Sequence, residues 1–343
     1  MSQHSRRTGP APLSLPTARV LAAAGFLPVW LLLAVLVLAA AVLAQGTLSA
    51  TSLGSQLPLM TFLAIAALGQ MLVVMTGGID LSVPGVMTMV GTVLLGVSGG
   101  TDDRVLVGVG GCLALAAAVG LVNGLLVGYA GLNPLVVTLS TGQIVLGVTT
   151  SLRSHLANET AVPPLMSSLA GDRVLGASLV FWLGAVLTVL VAVLLGRTTT
   201  GRRFQAVGAN REAAWIAGID VRRHTACGYV LAGLLYGVAG LLLAAFIRTP
   251  TLEAGAPYLL GPIAAVVIAG ASLAGGQASA LSTWAAAAAL ALLTQMLQVF
   301  GLPSALQYVV FGCVIAAGMV VSGDRIAAVA GHRTTVRATR AET

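Results

Sequence analysis

Lysine is the residue that this sequence lacks altogether. In a chain of 343 residues, the 17 residues counted as lysine or arginine are all arginines. A Walker A phosphate loop needs the lysine of GxxxxGK[ST] to reach the phosphates of ATP, and Schiff-base catalysis needs a lysine amine. The absence therefore excludes both a P-loop ATPase and a lysine Schiff-base enzyme.

Charge of either sign is also scarce. Charged residues make up 8% of the chain, whereas a soluble domain has about 25%. Hydrophobic residues make up 57%, and the mean hydropathy is +0.99. The apolar runs are continuous over about 20 residues and do not alternate over about 10 residues, as the strands of a membrane barrel do. We therefore predict an all-α, polytopic membrane protein.

Cysteine and histidine offer no metal-binding pattern. The three cysteines, Cys112, Cys227 and Cys313, lie in or beside apolar runs, and the four histidines are scattered. An odd cysteine count without close spacing fits neither a disulfide framework nor a zinc site. We expect no disulfide and no metal site.

Apolar segments recur along the chain and define its organisation. Two of them, the third and the eighth, are shorter than the roughly 20 residues of a full crossing. An offset of five between them is what an inverted repeat would produce. We predict a tail at residues 1–19, a membrane domain at 20–322 and a second tail at 323–343, both tails being cytoplasmic and the first disordered. The predicted spans number about ten: Val20–Ala44, Leu57–Met75, Val83–Val97, Val105–Tyr129, Pro134–Leu152, Val174–Leu195, Thr225–Phe246, Tyr258–Ser272, Ala278–Phe300 and Ser304–Val321.

The arginines indicate the topology. With ten spans both termini lie on one side, and that side holds most of the arginines. The positive-inside rule assigns that side to the cytoplasm. The membrane topology therefore accounts for the net charge of +7, and we expect no nucleic acid partner. The cytoplasmic side holds 13 of the 17: Arg6, Arg7, Arg19, Arg197, Arg202, Arg203, Arg211, Arg222, Arg223, Arg325, Arg333, Arg337 and Arg340.

The largest internal loop on that side, Gly196–Arg223, carries the signature of a short helix. Asn210 is a good N-cap, and Glu212 lies in the first turn, where the helix dipole favours an acid. Gly218 is a natural residue just past the end. A helix of about two turns is marginal alone in water. It should therefore dock, either on another protein through Trp215 or on its own bundle.

Asp80 is the one charged residue between Arg19 and Asp102. An acid at membrane depth costs about 2.5–3.5 kcal/mol. The sequence around Asp80 instead predicts a break between spans two and three, in which Gly77 and Gly78 end one helix and Ser82 caps the next. Asp80 can serve this break structurally or act as an ion-coupling site, and both interpretations stay open.

Polar side chains also cluster on the fifth predicted span, from Asn133 to Gln143. Thr138 and Thr141 can share one helical face. They can line a route for a hydroxylated solute, or they can form interhelical hydrogen bonds worth about 0.6 kcal/mol each.

Four segments, in order, resemble one known family. Thr200–Ala214 (TGRRFQAVGANREAA) resembles the cytoplasmic loop of the membrane-spanning permeases of ribose-type bacterial ABC importers, and Gly77–Val83 (GGIDLSV) resembles that family's other hallmark. Asn133–Leu139 and Ile263–Gly276 fit as well. The resemblance extends from about Leu57 to Val321.

The resemblance implies a fold like that of type II ABC importers and a permease subunit that is not itself an enzyme. Its solute would be a monosaccharide such as ribose, xylose or galactose. This chain would bind no cofactor, because ATP and Mg would be used by a separate ATPase. The implied partners are a cytoplasmic ABC ATPase, an extracytoplasmic solute-binding protein, a second permease subunit (identical or different) and the lipid of the bacterial inner membrane.

The resemblance also assigns roles to residues. The loop that couples to the ATPase would use Gly201, Arg202, Gly208, Asn210, Glu212, Ala213, Ala214 and Gly218. The candidates for a translocation pathway or hinge are Asp80, Ser82, Asn133, Thr138 and Thr141. The alternatives are an ion-coupled secondary transporter that uses Asp80 and a membrane scaffold. A secondary transporter would give the Gly201–Gly218 loop no purpose, and a scaffold would explain neither the motifs nor the short spans.

Overall fold

A computed structural model describes residues 27–156, 161–303 and 305–316. The two predicted tails, 1–19 and 323–343, lie outside these residues, as do the start of the first predicted span and the end of the tenth.

The described residues are mainly α-helical. A small antiparallel hairpin, β1 (Arg173–Val174) and β2 (Ala177–Ser178), pairs Arg173 with Ser178 and Val174 with Ala177. Two 3-10 turns cover Asp102–Arg104 and Ala256–Tyr258. The helices are α1 (Leu27–Leu43), α2 (Ala50–Met75), α3 (Val83–Ser98), α4 (Val105–Gly128), α5 (Pro134–His155), α6 (Pro164–Gly171), α7 (Leu179–Arg197), α8 (Thr199–Ala209), α9 (Arg211–Ile216), α10 (Val221–Ile247), α11 (Gly261–Ile268), α12 (Ala280–Val299) and α13 (Ala305–Ala316).

The ten predicted spans each coincide with an apolar helix. Six of the described helices are long and apolar enough to cross a membrane, namely α2, α4 with its preceding turn, α5, α7, α10 and α12. The third predicted span is α3, of 16 residues, and the eighth contains α11, of 8 residues. Both are short, as predicted, and the polytopic all-α fold is confirmed.

The second predicted span starts seven residues too late, since α2 starts at Ala50, and two other predicted starts are wrong by four or five residues for local reasons. The sixth span starts at Leu179 rather than Val174, because residues 173–178 form the hairpin. Leu175 and Gly176 adopt φ angles of 51° and 83° at its turn, the left-handed pair that two-residue hairpin turns favour. Helix α10 starts at Val221 rather than Thr225, because the Asp220 carboxylate accepts the Arg223 N–H at 3.0 Å and caps the helix.

Helices α2 and α10 form the centre of the bundle. They pack against each other, and most of their length is buried. Helix α4 packs on α10 and α12 packs on α2; α3 contacts α10 and α4, and α11 contacts α2 and α12. The contacts of α3 and α4 in the first half of the chain therefore have counterparts in the contacts of α11 and α12 in the second half, as an inverted repeat requires.

Small residues permit this close packing. A Cβ at Gly120 on α4 would overlap the carbonyl oxygen of Tyr229 on α10, and one at Gly124 would lie 2.7 Å from the Ala226 Cα atom. Close backbone approach of this kind is what stabilises helix pairs in lipid. The outer sides of α4, α5 and α7 expose apolar side chains such as Val136.

The two ends of the bundle differ in what they carry. Helices α8 and α9 lie at one end, which we call the coupling face. Helix α7, with 19 residues, spans about 28 Å at 1.5 Å per residue and joins the hairpin to α8. The hairpin therefore lies at the opposite end, which we call the hairpin face.

Candidate functional site

The coupling face carries two consecutive short helices. Thr198 caps α8, because its hydroxyl accepts the Gly201 N–H at 3.1 Å. Gly201 is buried in the tight turn from α7, where a Cβ would overlap backbone carbonyls of α7. Helix α8 was not predicted, because the only helix expected in this loop was the one that starts after Asn210. Exposed Arg202 lies on its first turn.

Helix α9 has the predicted caps. The Asn210 side chain accepts the Ala213 N–H at 3.0 Å, and Glu212 lies exposed in the first turn. Gly218 follows the helix with a φ of +78°. Asn210 also ends α8, since its N–H donates to the Ala206 carbonyl oxygen at 3.1 Å. One extended residue therefore separates and caps both helices.

The outer side of α9 is apolar and unpartnered within the described chain. Trp215 is 71% exposed and Ile216 is 74% exposed. Ala213 is exposed as well, whereas Ala214 is buried against the protein. A groove of about 840 Å³ runs beside α9, between it and the end of α4 at Tyr129. This surface can receive another protein.

Direct contacts attach α8 and α9 to the end of α2. The Arg211 guanidinium donates to the Thr76 carbonyl oxygen at 2.7 Å. A Cβ at Gly208 would overlap the Met75 carbonyl oxygen. That same oxygen accepts the Gly276 N–H at 3.1 Å. These contacts connect α8 and α9 to the end of α2 and to the glycine turn before α12.

Residues 76–82, which we call the elbow, connect α2 to α3. Gly77 turns the chain with a φ of +78°. Asp80 is 1% exposed, and its carboxylate accepts the Ser82 N–H at 2.8 Å and the Ser82 hydroxyl at 2.6 Å. Ser82 occupies the N-cap position of α3, but its side chain makes no capping bond. The predicted cap is therefore wrong, because this hydroxyl serves Asp80 instead.

Other helices hold the elbow in place. The Asn123 amide of α4 donates to the Ser82 hydroxyl at 3.1 Å. The Thr138 hydroxyl of α5 accepts the Leu81 N–H at 2.9 Å, and it lies 2.8 Å from the Pro134 carbonyl oxygen and 3.3 Å from that of Ile79. Thr138 is thus buried and hydrogen-bonded to the elbow.

Gln70 completes the contacts of Asp80. With its amide oriented to satisfy its neighbours, Gln70 donates to the Asp80 carbonyl oxygen at 2.9 Å and accepts the Asp80 N–H at 3.2 Å. The Tyr236 hydroxyl lies 3.1 Å from the same amide. Burial raises the pKa of the Asp80 carboxyl to about 6, and the hydrogen bonds from Ser82 and Asn123 oppose this rise.

The remaining residues predicted for the pathway lie at the start of α5. Asn133 caps that helix by accepting the Leu135 N–H at 2.9 Å. Thr141 donates to the Val137 carbonyl oxygen at 2.8 Å within its own helix. Asn133 lines a cavity of about 460 Å³ together with Gly208 and Asn210. The structure therefore places one pathway candidate next to α8 and the start of α9.

Several side chains that hold the elbow and the coupling face were not predicted from the sequence. Gln70, Asn123 and Arg211 were not singled out, although Gln70 and Asn123 are amides inside otherwise apolar helices. That pattern was the signal that could have found them, because such a group in a membrane span needs a partner. Among the described residues, no group of three or more histidine, cysteine, aspartate or glutamate side chains could hold a metal.

Comparison with known proteins agrees with this geometry. The family model described as "Branched-chain amino acid transport system / permease component" matches residues 52–319. The ribose import permease protein of Escherichia coli (strain K12) is 32% identical over 265 residues, 76% of this chain and 82% of the relative. No solved structure matches the chain at a significant level.

Two further relatives are also named as permeases. The L-arabinose ABC transporter permease protein of Azospirillum brasilense is 32% identical over 258 residues, 74% of this chain and 75% of the relative. The fructose import permease protein of Bifidobacterium longum is 30% identical over 281 residues, 80% of this chain and 78% of the relative. The chain therefore belongs to the family of permease components of the branched-chain amino acid transport system type and is a multi-pass membrane permease, a transport component and not an enzyme.

Proposed function

We propose that this chain forms the translocation pathway of an ATP-driven importer for a monosaccharide. The relatives named for ribose, L-arabinose and fructose support this solute class. The spans offer almost no fixed charge, and a neutral polyhydroxylated solute needs none. Hydroxyl and amide groups are sufficient to bind it.

The observation that carries this proposal is the exposed apolar helix α9. Trp215 and Ile216 together form an anchor of the kind that protein interfaces bury, and both are more than two-thirds exposed. A cytoplasmic ABC ATPase would cover them. ATP and Mg would be bound by that partner, and its movement would reach α2 through Arg211 and Gly208.

The coupling face would then be cytoplasmic, with both termini on that side. Of the described arginines, six lie in or beside α8 and α9 (Arg197, Arg202, Arg203, Arg211, Arg222 and Arg223). The positive-inside rule supports this orientation. The hairpin face would bind an extracytoplasmic solute-binding protein. The exposed apolar sides of α4, α5 and α7 would face lipid or a second permease subunit. The membrane would be the bacterial inner membrane.

An ion-coupled secondary transporter is the competing proposal, and the surroundings of Asp80 count against it. The carboxylate is buried, bonds Ser82 twice and lines none of the described cavities. A proton or sodium site needs access from solvent. We therefore assign Asp80 to the elbow, where it holds the start of α3.

The test is reconstitution with a matched pair of variants. The chain, its ATPase and its solute-binding protein are placed in proteoliposomes, and ATP hydrolysis and sugar uptake are measured together. Ala213→Arg places a charge on exposed α9 and should reduce uptake at least tenfold while membrane insertion is unchanged. Ala161→Arg, an exposed alanine near the hairpin face and away from α9, is the control for ATPase binding and should leave the amount of ATPase bound to the permease unchanged.

Two results would contradict the proposal. One is sugar uptake that follows an ion gradient in the absence of ATP hydrolysis. The other is an Ala213→Arg protein that inserts normally, retains as much ATPase as the Ala161→Arg protein and transports as well as the unmodified protein.

A further inference from the structure

A separate cavity lies in the half of the bundle near the hairpin face. It encloses about 420 Å³ between α2, α10, α12, α13 and the segment 253–258. Ligand pockets range over about 300–1,000 Å³, and one water takes about 30 Å³ of liquid volume. The cavity is therefore large enough for a small organic solute. Its lining residues are Gln56, Leu59, Leu63, Leu243, Ile247, Glu253, Ala254, Pro257, Tyr258, Ala291, Thr294, Gln298, Gln307 and Phe311.

Besides Tyr258, five of these side chains are polar, and within the described ranges none of the five makes a hydrogen bond to the protein. Several threonine hydroxyls of the bundle, such as those of Thr61 and Thr188, bond a carbonyl oxygen of their own helix at 2.7–2.8 Å. The Thr294 hydroxyl does not. Each glutamine amide can both donate and accept. The five are Gln56, Glu253, Thr294, Gln298 and Gln307.

The rest of the wall is apolar and includes two aromatic rings. Tyr258 is 8% exposed and Phe311 is 2% exposed, so both rings are held in place by packing. The C–H faces of a sugar ring are apolar and fit against such rings, while its hydroxyls need donors and acceptors around the rim. The lining residues include one carboxylate, Glu253, and no cation. This chemistry disfavours an anionic ligand and favours a neutral polyhydroxylated one.

The segments that precede the two short helices, α3 and α11, differ in how their polar groups are satisfied. Glu253 lies three residues before the turn that starts at Ala256, as Asp80 lies three residues before α3. Asp80 is buried and fully engaged by Ser82 and Gln70. Glu253 is exposed and lines the open space. The carboxylate before α3 is thus satisfied within the protein, whereas the carboxylate before α11 makes no such bond to any described residue and lines the cavity.

The cavity also has a defined depth. Leu63 at its inner end is 12 positions before Met75 along α2, which corresponds to about 18 Å at 1.5 Å per residue. The cavity therefore lies well away from the coupling face, on the side from which an imported solute would enter.

We propose that this cavity is a monosaccharide-binding site in the outer half of the pathway. The inference rests on the proposed import of a monosaccharide. Glu253 would accept hydrogen bonds from neighbouring hydroxyls, Gln298 and Gln307 would each donate and accept, and the rings of Tyr258 and Phe311 would pack on the sugar.

The test measures binding to the permease itself. The permease–ATPase complex is placed in nanodiscs without the solute-binding protein, and saturation-transfer NMR gives the apparent Kd for D-ribose, L-arabinose and D-fructose. Gln298→Leu and Gln307→Leu should each raise Kd about 2–10-fold, the effect of one neutral hydrogen bond. Ala291→Phe should abolish binding by filling the space.

A matched control comes from another glutamine. Gln143→Leu is the same substitution at an exposed position of α5 outside the cavity, and it should leave Kd unchanged. Size-exclusion profiles and basal ATP hydrolysis identify any variant that fails to fold. Gln307→Asn, which keeps an amide, should bind more tightly than Gln307→Leu.

The outcomes separate the two proposals. This inference alone would be overturned by equal Kd values for the cavity variants and Gln143→Leu, if the unmodified complex shows ATP-driven uptake in the proteoliposome assay. Failure of the unmodified complex to transport any sugar of the panel would overturn the proposed function, and this inference with it.

Discussion

The junction between Gly208 and α2 leads to the most specific prediction. A Cβ at Gly208 would overlap the Met75 carbonyl oxygen and the Gly276 backbone nitrogen, and it would lie 3.0 Å from the Gly276 Cα atom. All three are backbone atoms, so they cannot move aside as a flexible side chain would. In Gly208→Ala, either α8 must move away or the bond between Gly276 and Met75 must break.

The expected size of the effect follows from opposing contributions. Alanine in a helix is favoured over glycine by about 1 kcal/mol. Overpacking against fixed atoms costs about 1–3 kcal/mol, and loss of one backbone hydrogen bond costs about 0.5–1.5 kcal/mol. The unfavourable contributions are larger, and we expect a net destabilisation of about 0.5–3.5 kcal/mol, with weaker coupling of ATP hydrolysis to uptake.

Gly196→Ala is the matched control. Gly196 lies in α7, and no atom is within 4 Å of a Cβ built there, so this variant should be as stable as the unmodified protein or more so. The assays are the thermal midpoint in detergent, followed by fluorescence-detected size exclusion, and the ratio of sugar uptake to ATP hydrolysis in proteoliposomes. Equal behaviour of the two variants in both assays would refute the reasoning.

Two further predictions concern the elbow. Thr138→Val removes the acceptor of the half-buried Leu81 N–H and should lower the free energy of unfolding by about 1–3 kcal/mol. Thr150→Val, at an exposed hydroxyl bonded to its own helix, should change it little, and equal denaturation midpoints would contradict this assignment. Burial raises the pKa of Asp80 in the folded protein from 3.8 to about 6, so the folded protein holds this proton more tightly than the unfolded chain. The free energy of unfolding should therefore fall as pH rises between these two values and then level off. Asp80→Asn should remove that fall, and a thermal midpoint with the same pH dependence in both proteins would count against it.

Local signals were sufficient for the ends of α9. The N-cap at Asn210, the acid at Glu212 and the terminal glycine at Gly218 each act within four residues. Their positions in the structure are those predicted. Helix α8, by contrast, was missed because its apolar residues, such as Phe204 and Val207, are buried by tertiary contacts and its cap, Thr198, stands in a run of three threonines.

The elbow shows the opposite case. The break at Gly77 was predicted, because only glycine adopts its φ of +78° without strain. The role of Ser82 was predicted wrongly, because its hydroxyl bonds Asp80 and Asn123, and Asn123 is 41 residues away in the chain. Capping preferences describe a helix end in isolation, and a buried carboxylate overrides them because its desolvation requires hydrogen bonds.

Composition and periodicity alone determined that this chain is a polytopic helical membrane protein with short third and eighth spans. An apolar run of about 20 residues in a chain with 8% charged residues is stable in lipid only as a helix, because a spanning helix forms all of its backbone hydrogen bonds within itself. Only the tertiary structure decided that Gly208 and Arg211 rest on the end of α2, that Asp80 is enclosed, and that Glu253, Gln298 and Gln307 surround an open space. Those relations join residues that are far apart in sequence, and close packing of helices, which no local pattern encodes, brings them together.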